Sequence, residues 1–219
     1  MGPKNMYCSK DELSDNFKGS TYILEESQKS PNGKWQNIYL GNGSGGVINN
    51  KGKNEFFLSP GISRSINETN AGLVNSTGTY CDFVLKVDVK TVKPLRENNP
   101  PNTWEAAWVF FRYTDTFHYY WILVKPNGVE LGKKDCDTCS DPVDGQHYLE
   151  TSENPILKVG KWSHWKVEMI GNHIKITVDG KKAIDFTDTE MSPKLASGSI
   201  AMYTEDAFVK FDNIMLKPK

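Results

Sequence analysis

The 219-residue sequence predicts an all-β fold, built as an antiparallel sandwich or barrel. The main observation is a series of about a dozen short segments in which apolar and polar residues alternate, with polar turns between them. A second is the Asp179-Gly180 pair between two such segments, which is typical of a tight β-hairpin. The third is the scarcity of helix signals, since residues 150–157 and 188–195 are interrupted by proline and indicate loops or single turns.

The clearest single strand is predicted over residues 81–92, where apolar residues such as Leu85 and Val87 alternate with charged ones. Residues 162–170 repeat this pattern, with Trp165 on the side expected to face the core. The predicted strands are residues 21–26, 35–40, 46–49, 55–58, 71–75, 81–92, 104–113, 117–125, 162–170, 174–178, 197–204 and 207–217. The longest irregular segments are predicted at residues 93–103 and 132–147, a length typical of functional or disordered loops.

Residues 104–125 are the most aromatic part of the chain, and a two-residue turn at Asp115-Thr116 divides them into two strands. This register predicts the cross-strand pairs Trp108–Leu123, Phe110–Trp121, Arg112–Tyr119 and, on the other face, Phe111–Tyr120. The second face ends in small and branched apolar residues and is predicted to be core. The face with Arg112 combines large flat rings with a cation, which suits sugar binding and also suits ordinary packing within a sheet.

A single domain over residues 1–219 is predicted, with residues 1–12 as a loose N-terminal segment, because no linker-like stretch divides the chain. The formal net charge is -1, with 26 basic and 27 acidic residues well mixed, so no nucleic-acid partner is predicted. No apolar run approaches the ~20 residues of a membrane span. The glycine-rich residues 41–46 lack a following helix, so they predict neither a phosphate-binding loop nor an organic cofactor.

The cysteines and the glycosylation sequons both favour an extracellular or cell-surface setting. The four cysteines are Cys8, Cys81, Cys136 and Cys139, an even count that permits two disulfides. The acceptor sequons begin at Asn42, Asn67 and Asn75. The first residues lack the apolar core of a signal peptide, so we expect any secretion signal to be absent or already removed.

The CxxC segment at Cys136 and Cys139 is predicted to be a small disulfide loop on the rim of a groove. Two alternatives remain open at this point. One is a redox-active pair, although that role expects a helix N-terminus, and the other is a metal site improvised with His147. Cys8 and Cys81 either form the second bridge or are free.

An ordered series of short landmarks runs through the C-terminal half. The landmarks are Phe111-Arg112-Tyr113, Tyr120, Gly128 to Leu131, Gly160-Lys161-Trp162, Trp165-Lys166-Val167, Gly171-Asn172, Val178-Asp179-Gly180, Gly198-Ser199-Ile200 and Phe211-Asp212-Asn213-Ile214. The series resembles the concanavalin A-like (laminin G-like) jelly rolls, especially the DUF1080 group called 3-keto-disaccharide hydrolases. It covers roughly residues 72–217, and it implies a jelly-roll sandwich with its ligand across a concave sheet.

The resemblance implies an extracellular carbohydrate-active protein that acts on an oligo- or polysaccharide. A glycoside hydrolase is favoured over a polysaccharide lyase. The alternatives are a non-catalytic, lectin-like glycan-binding module and a structural or adhesion domain, because one fold can host all of these functions.

A structural calcium ion is also implied by the resemblance. Asp212 matches an aspartate of the last strand that binds calcium in similar jelly rolls, and the backbone near Asp15 and Gly43 is expected to add carbonyl oxygens. Calcium prefers such all-oxygen ligand sets.

The residues predicted to bind the saccharide lie on the aromatic hairpin: Trp104, Trp108, Arg112, Tyr119 and Trp121. Catalysis has weaker candidates. Glu105 stands alone on its strand, whereas a two-carboxylate glycosidase needs a matched pair, and His118 points away from Arg112 in the predicted register. The outward row His164, Lys166 and Glu168 either lines a groove or is a solvated strand face.

Overall fold

The computed structural model describes residues 8–140 and 144–219. Its strands, numbered along the chain, form two antiparallel sheets. In the nine-stranded sheet the order is β14-β13-β12-β7-β16-β5-β4-β2, with β1 also paired to β16. Its strands are β1 (Leu13–Asp15), β2 (Tyr22–Ile23), β4 (Ser44–Asn50), β5 (Lys53–Ser59), β7 (Phe83–Pro94), β12 (Ser163–Ile170), β13 (His173–Val178), β14 (Lys181–Thr187) and β16 (Ala207–Pro218).

The seven-stranded sheet has the order β11-β10-β9-β8-β15-β6-β3. Its strands are β3 (Trp35–Tyr39), β6 (Ala71–Ser76), β8 (Ala107–Asp115), β9 (His118–Lys125), β10 (Gly128–Asp135), β11 (Gln146–Ser152) and β15 (Ser199–Glu205). The β8–β9 hairpin therefore lies near the centre of this sheet, and β15 joins it from far along the chain.

The main core lies between the two sheets, and it follows from the period-two alternation of the strands. Leu85 and Val87 of β7 are buried, as are Trp165 of β12 and Phe111 and Ile122 of the hairpin. Burial of such side chains is the main favourable term in folding. The predictions of an all-β antiparallel sandwich and of these core faces are confirmed.

The structure differs from the sequence prediction in the segment after β9. Residues 132–147 were predicted to be irregular, but β10 continues to Asp135 and β11 begins at Gln146. Strand β11 lies at the sheet edge and is mostly polar on both faces, so it carries no apolar alternation. Part of the predicted loose segment, residues 1–7, lies outside the described residues. Within the described ranges, no helix has the length and apolarity needed to cross a bilayer.

Candidate functional site

The β8–β9 hairpin keeps the predicted register over most of its length. Trp108 lies opposite Leu123 and Phe110 opposite Trp121, and on the other face Phe111 lies opposite Tyr120. Beyond Phe111 the pairing shifts, and the next pair is Asp115 with His118. The turn therefore lies at residues 116–117, not at 115–116. Two extra residues of β8 form a bulge, which redirects the side chains at this end.

Arg112 lies within this bulge, and its predicted pairing with Tyr119 is wrong. Its backbone has a φ of 48°, in the left-handed region, so its side chain leaves the face of Phe110. The guanidinium donates hydrogen bonds to the carbonyl oxygens of Cys81 and Leu195 and to Oδ1 of Asp82, and the residue is 1% exposed. Arg112 therefore ties the end of the sandwich together and does not share a face with the tryptophans.

The outer face of the seven-stranded sheet carries a second apolar cluster, separate from the main core. We call Trp108 and Trp121 the tryptophan row. Their rings lie 6.1 Å apart, and Trp121 extends over Gly132, where a Cβ atom would lie 2.0 Å from the indole. The indole N–H groups donate to the carbonyl of Trp104 and to Oε1 of Glu130. With exposures of 9% and 2%, these tryptophans are packed largely against their own protein.

The same outer face opens into a pocket of about 600 Å³ at its bulged end. We call it the tyrosine pocket, and its aromatic lining is Tyr39, Phe110, Tyr113, Phe117, Tyr119 and Tyr203. The bulge brings Tyr113 to this face, because one residue of the strand, Arg112, is turned away. Of the five residues predicted to bind a ligand, Tyr119 lines this pocket, whereas Trp104 is 44% exposed outside its lining.

Three rings that line the tyrosine pocket, those of Phe110, Tyr119 and Tyr203, form a stacked group. The ring of Phe110 lies 4.3 Å from that of Tyr119 and 4.6 Å from that of Tyr203, and both pairs are stacked. Burial raises the pKa of Tyr113 to about 12 and raises the pKa values of the Tyr39 and Tyr119 phenols above their usual range. The phenols are therefore neutral at physiological pH and can both donate and accept hydrogen bonds.

Glu205, at the end of β15, is the one carboxyl group among the described residues that line the tyrosine pocket. It is half-buried, and its Oε1 accepts a hydrogen bond of 2.6 Å from the hydroxyl of Tyr203. Burial raises its pKa most, the hydrogen bond from Tyr203 lowers it in part, and the neighbouring carboxylates of Asp206 and Glu105 raise it further. A carboxyl group with a raised pKa that faces a pocket is a usual feature of a functional site.

Glu105, a predicted catalytic candidate, lies behind the pocket in a buried ion-pair network. Its Oε1 accepts hydrogen bonds from Arg96 at 2.6 Å and from Asn102 at 2.8 Å. Arg96 also donates to Asp206 at 2.7 Å, and Ser63 donates to the same carboxylate. These contacts give Glu105 a structural role in holding the loop before β8, although a catalytic role stays untested.

His118, the other catalytic candidate, is buried next to the turn of the β8–β9 hairpin. Its Nδ1 lies 2.9 Å from Oδ1 of Asp115, and its Nε2 lies 2.9 Å from Oδ1 of Asp137. Asp137 lies between the two cysteines of the CxxC segment and also pairs with Lys194. Both ring nitrogens of His118 therefore have partners, and these contacts hold the loop against the sheet.

The cysteines form two disulfides, Cys8–Cys81 and Cys136–Cys139. The predicted disulfide loop is confirmed, and the bridged pair offers no thiolate to a metal ion. The redox alternative stays open, because a redox-active pair is itself a disulfide when oxidised. Ser140, next to this loop, lines the tyrosine pocket, as expected of a groove rim. Within the described ranges, no group of three or more acidic, histidine or cysteine side chains is arranged to hold a metal ion.

The outward row of β12 lies on the outer face of the other sheet, away from the tyrosine pocket. His164 pairs with Asp88 at 2.5 Å, and Lys166 pairs with Glu168 at 2.5 Å. Such exposed ion pairs contribute little to stability. His164 and Lys166 also line an opening of about 370 Å³ on this face, so both interpretations of the row stay open.

Asp212, the predicted calcium ligand, is buried, and its Oδ1 accepts a hydrogen bond from the backbone N–H of Asn213. Its Oδ2 lies 2.5 Å from Nζ of Lys53, an ion pair without the angles of a good hydrogen bond. The carboxylate of Asp15 accepts hydrogen bonds from the indole of Trp35 and the backbone N–H of Phe17, and the carbonyl of the neighbouring Ser14 accepts one from Lys34. The lysine ammonium already supplies positive charge at Asp212, so the described residues do not fit a calcium ion well. The calcium site itself stays a prediction.

Sequence reasoning missed Tyr39, Tyr113, Tyr203 and Glu205. The alternation of residues 197–204 placed Tyr203 on one face of a strand, but it did not identify the neighbouring strand. Tyr203 lies opposite Trp108 of β8 and opposite Leu73 of β6, which are distant in sequence. The available signal was the alternation Ala201, Tyr203, Glu205. It resembles the small and aromatic pair Ala106 and Trp108 on the outer face of the hairpin.

Comparison with solved structures confirms the jelly-roll fold. The carbohydrate binding module CBM66 from Bacillus subtilis is 19% identical, with a TM-score of 0.58 over 84% of this chain and 95% of the module. A protein of unknown function with a galectin-like fold, also from Bacillus subtilis, is 11% identical, with a TM-score of 0.59 over 94% and 98% of the chains. LamAcat from Zobellia galactanivorans is 13% identical, with a TM-score of 0.56 over 94% and 96%. No curated protein matches the chain by sequence.

The fold and the position of the pocket define a jelly-roll domain with its candidate site on the outer face of one sheet. The chain belongs to the family described as the 3-keto-alpha-glucoside-1,2-lyase-like domain, whose model matches residues 26–217. This is a carbohydrate-active domain family, and the match confirms the resemblance to the DUF1080 group.

Proposed function

We propose that the domain binds a saccharide in the tyrosine pocket. The observation that carries the proposal is an open volume of about 600 Å³ lined by the partly exposed rings of Tyr39 and Tyr119. The buried rings of Phe110 and Tyr203 stack beneath Tyr119 and hold it in place. Flat aromatic rings with a polar tip bind the apolar faces of sugar rings and offer hydroxyl groups to their rims. The similarity of the fold to a carbohydrate binding module supports the same ligand class.

The pocket favours binding over hydrolysis by a pair of carboxylates. Glu205 of β15 lines the pocket, whereas Glu105 and Asp206 behind it are buried in ion pairs with Arg96. On the sheet face itself, the next acidic residue after Glu205 is Glu130 of β10. These strands are three positions apart, which separates the two residues by about 14 Å across the sheet. Glycosidase carboxyl pairs lie only about 5–10 Å apart. Glu130 is also paired with Lys125 and Trp121, so it serves the tryptophan row.

A second candidate function is an elimination of the kind named in the family description, and Glu205 favours it. Elimination next to a sugar carbonyl needs a base that removes the proton on the adjacent carbon, while the bond from the anomeric carbon to the glycosidic oxygen breaks and that oxygen leaves with a proton. The raised pKa of Glu205 makes its carboxylate a stronger proton acceptor than an exposed glutamate, and Tyr203 orients it. If Glu205 is this base, Glu205→Gln stops turnover of methyl 3-keto-α-D-glucopyranoside while binding persists. Equal turnover by both proteins would exclude that role.

The binding proposal is tested by titrating the wild-type protein with maltohexaose and methyl α-D-glucopyranoside, followed by NMR. Tyr119→Ala removes one face of the stack, and we expect it to weaken binding about tenfold. The matched control is Tyr148→Ala, because Tyr148 is a 68% exposed tyrosine of β11 outside the pocket lining. Failure of the wild type to bind any member of a broad glycan panel would refute the proposal, as would equal affinities for wild type and Tyr119→Ala.

We infer further that the domain works in an oxidising, extracellular setting. Two disulfides support this inference, since they persist mainly outside the reducing cytosol. The acceptor residues Asn42 and Asn67 are exposed, whereas Asn75 is half-buried and donates a hydrogen bond to Ser199. Protein taken from its native host should show no titratable thiol before reduction, and four free thiols there would contradict the inference.

A further inference from the structure

The end of the tyrosine pocket formed by β15 is acidic. Glu205 faces the pocket, and Asp206 and Glu105 lie behind it. Arg96 is the cation hydrogen-bonded to this group, and it is shared between Glu105 and Asp206. Two carboxyl groups therefore share one guanidinium, and the third, that of Glu205, faces the pocket without a cationic partner among the described residues.

The other groups that face Glu205 do not neutralise it. The phenols of Tyr203, Tyr39 and Tyr119 approach it from β15, β3 and β9, and all three are uncharged at neutral pH. Lys134 also lines the pocket, but its backbone lies on β10, three strands and so about 14 Å from that of Glu205 on β15. Its ammonium group lies 4.9 Å from the ring of Phe117.

The carboxyl groups at the β15 end of the tyrosine pocket disfavour any further negative charge placed beside them. Burial raises the pKa of Glu205, the hydrogen bond from Tyr203 lowers it in part, and the carboxylates of Asp206 and Glu105 raise it again, which agrees with a place where a negative charge is disfavoured. A carboxylate or sulfate group of a ligand beside Glu205 would meet the same low-dielectric surroundings and the same neighbours. Arg112, the residue best suited to grip a ligand carboxylate, is turned into the protein.

We propose that Glu205 makes the tyrosine pocket select uncharged saccharides and reject anionic ones. This inference rests on the proposed saccharide binding, and it adds the ligand class and the residue that sets it. Like charges a few ångströms apart cost roughly 1 kcal/mol in water and more in a protein, so the neutral ligand should bind at least about fivefold more tightly.

The test uses two ligands that differ only at C6, methyl α-D-glucopyranoside and methyl α-D-glucopyranosiduronate, titrated by NMR at about pH 7.5. We expect wild-type protein to prefer the neutral glucoside at least about fivefold, and Glu205→Gln to bring the ratio close to one. Glu150→Gln is the matched control, because Glu150 is an exposed glutamate of β11 outside the pocket lining, and it should keep the wild-type ratio.

A second measurement needs no variant and so does not depend on the folding of Glu205→Gln. Near pH 4.5 a uronic acid stays ionised, whereas Glu205 with its raised pKa takes up a proton, so the wild-type preference should shrink. Equal affinities for both ligands at pH 7.5, or a preference unchanged by both Glu205→Gln and pH, would overturn the inference and leave saccharide binding intact. Absence of binding by either ligand at both pH values would instead refute binding of glucosides at this pocket, and the inference with it.

Discussion

The tryptophan row and the tyrosine pocket share one face of one sheet, yet they differ in how their polar atoms are satisfied. The indole N–H groups of Trp108 and Trp121 donate to partners within the protein, and both rings are almost fully covered. Tyr119 and Tyr39 remain half-buried beside an open volume. The comparison teaches that aromatic content alone does not mark a ligand surface. Open area and polar groups that face a pocket mark it better.

The largest expected effect concerns the tryptophan row. Trp121→Ala should lower the free energy of unfolding by about 3–5 kcal/mol, because it leaves a cavity over Gly132 and removes the indole donor to Oε1 of Glu130. Tyr119→Ala should cost less, about 1–2 kcal/mol, because that ring is partly exposed. Urea denaturation of both variants measures the difference. Equal losses of stability in the two variants would mean that the tryptophan row and the tyrosine pocket are packed equally tightly.

Arg112 gives the next largest effect, and it separates a structural role from a binding role. Arg112→Met leaves the carbonyl groups of Cys81 and Leu195 without their donor, so we expect a loss of about 2–3 kcal/mol in stability. Saccharide affinity of the folded variant should be unchanged. The exposed Arg64 provides the control, since Arg64→Met should alter neither quantity. A selective loss of saccharide affinity in Arg112→Met would show that Arg112 contacts the ligand.

For Glu205 we expect a smaller effect on the free energy of unfolding, and one that depends on pH. Its folded-state pKa is raised, so folding favours its protonated form, and the associated stability is present at low pH and lost as the pH rises through that pKa. Glu205→Gln should therefore match wild type near pH 4 and exceed it near pH 8. The difference should be about 1.4 kcal/mol for each unit by which the pKa is raised. A pH-independent difference in chemical denaturation between the two proteins would contradict the buried acidic end of the pocket.

The smallest expected effect concerns the outer face of the nine-stranded sheet. Because Lys53 pairs with Asp212, addition of EDTA should leave the melting temperature unchanged, as should addition of calcium. Differential scanning calorimetry at matched ionic strength measures both. A clear fall in melting temperature on chelation would instead support the calcium site that the family resemblance implies.

The fold was predictable because the alternation in segments such as residues 81–92 and 162–170 is strict, and because such strands have one buried face. The hairpin register was predictable as far as Phe111, since hydrophobic pattern and turn position agree over that stretch. The bulge was not predictable, because it depends on a distant contact. Gly198 of the neighbouring segment packs against the backbone of Arg112, and a Cβ atom there would lie 2.3 Å from it.

The candidate site was only partly predictable for a related reason. Tyr119 lies on the aromatic hairpin and was identified from its local sequence. Tyr203 and Glu205 reach the pocket only because β15 pairs with β8, and β15 follows β8 by more than eighty residues. Local pattern sets the face of a strand, but it does not set the neighbours of that strand. Predicting the acidic end of the pocket would therefore have required knowledge of the strand order in the sheet.

The central claim, that a saccharide binds at the tyrosine end of this face, is tested most directly by mapping bound maltohexaose with two-dimensional NMR. We predict that chemical-shift changes centre on the amides of Tyr119, Tyr203 and Glu205, while the indole N–H resonance of Trp121 stays in place. Shift changes centred on Trp104 and Trp121, or on the outer face of the nine-stranded sheet, would contradict the claim.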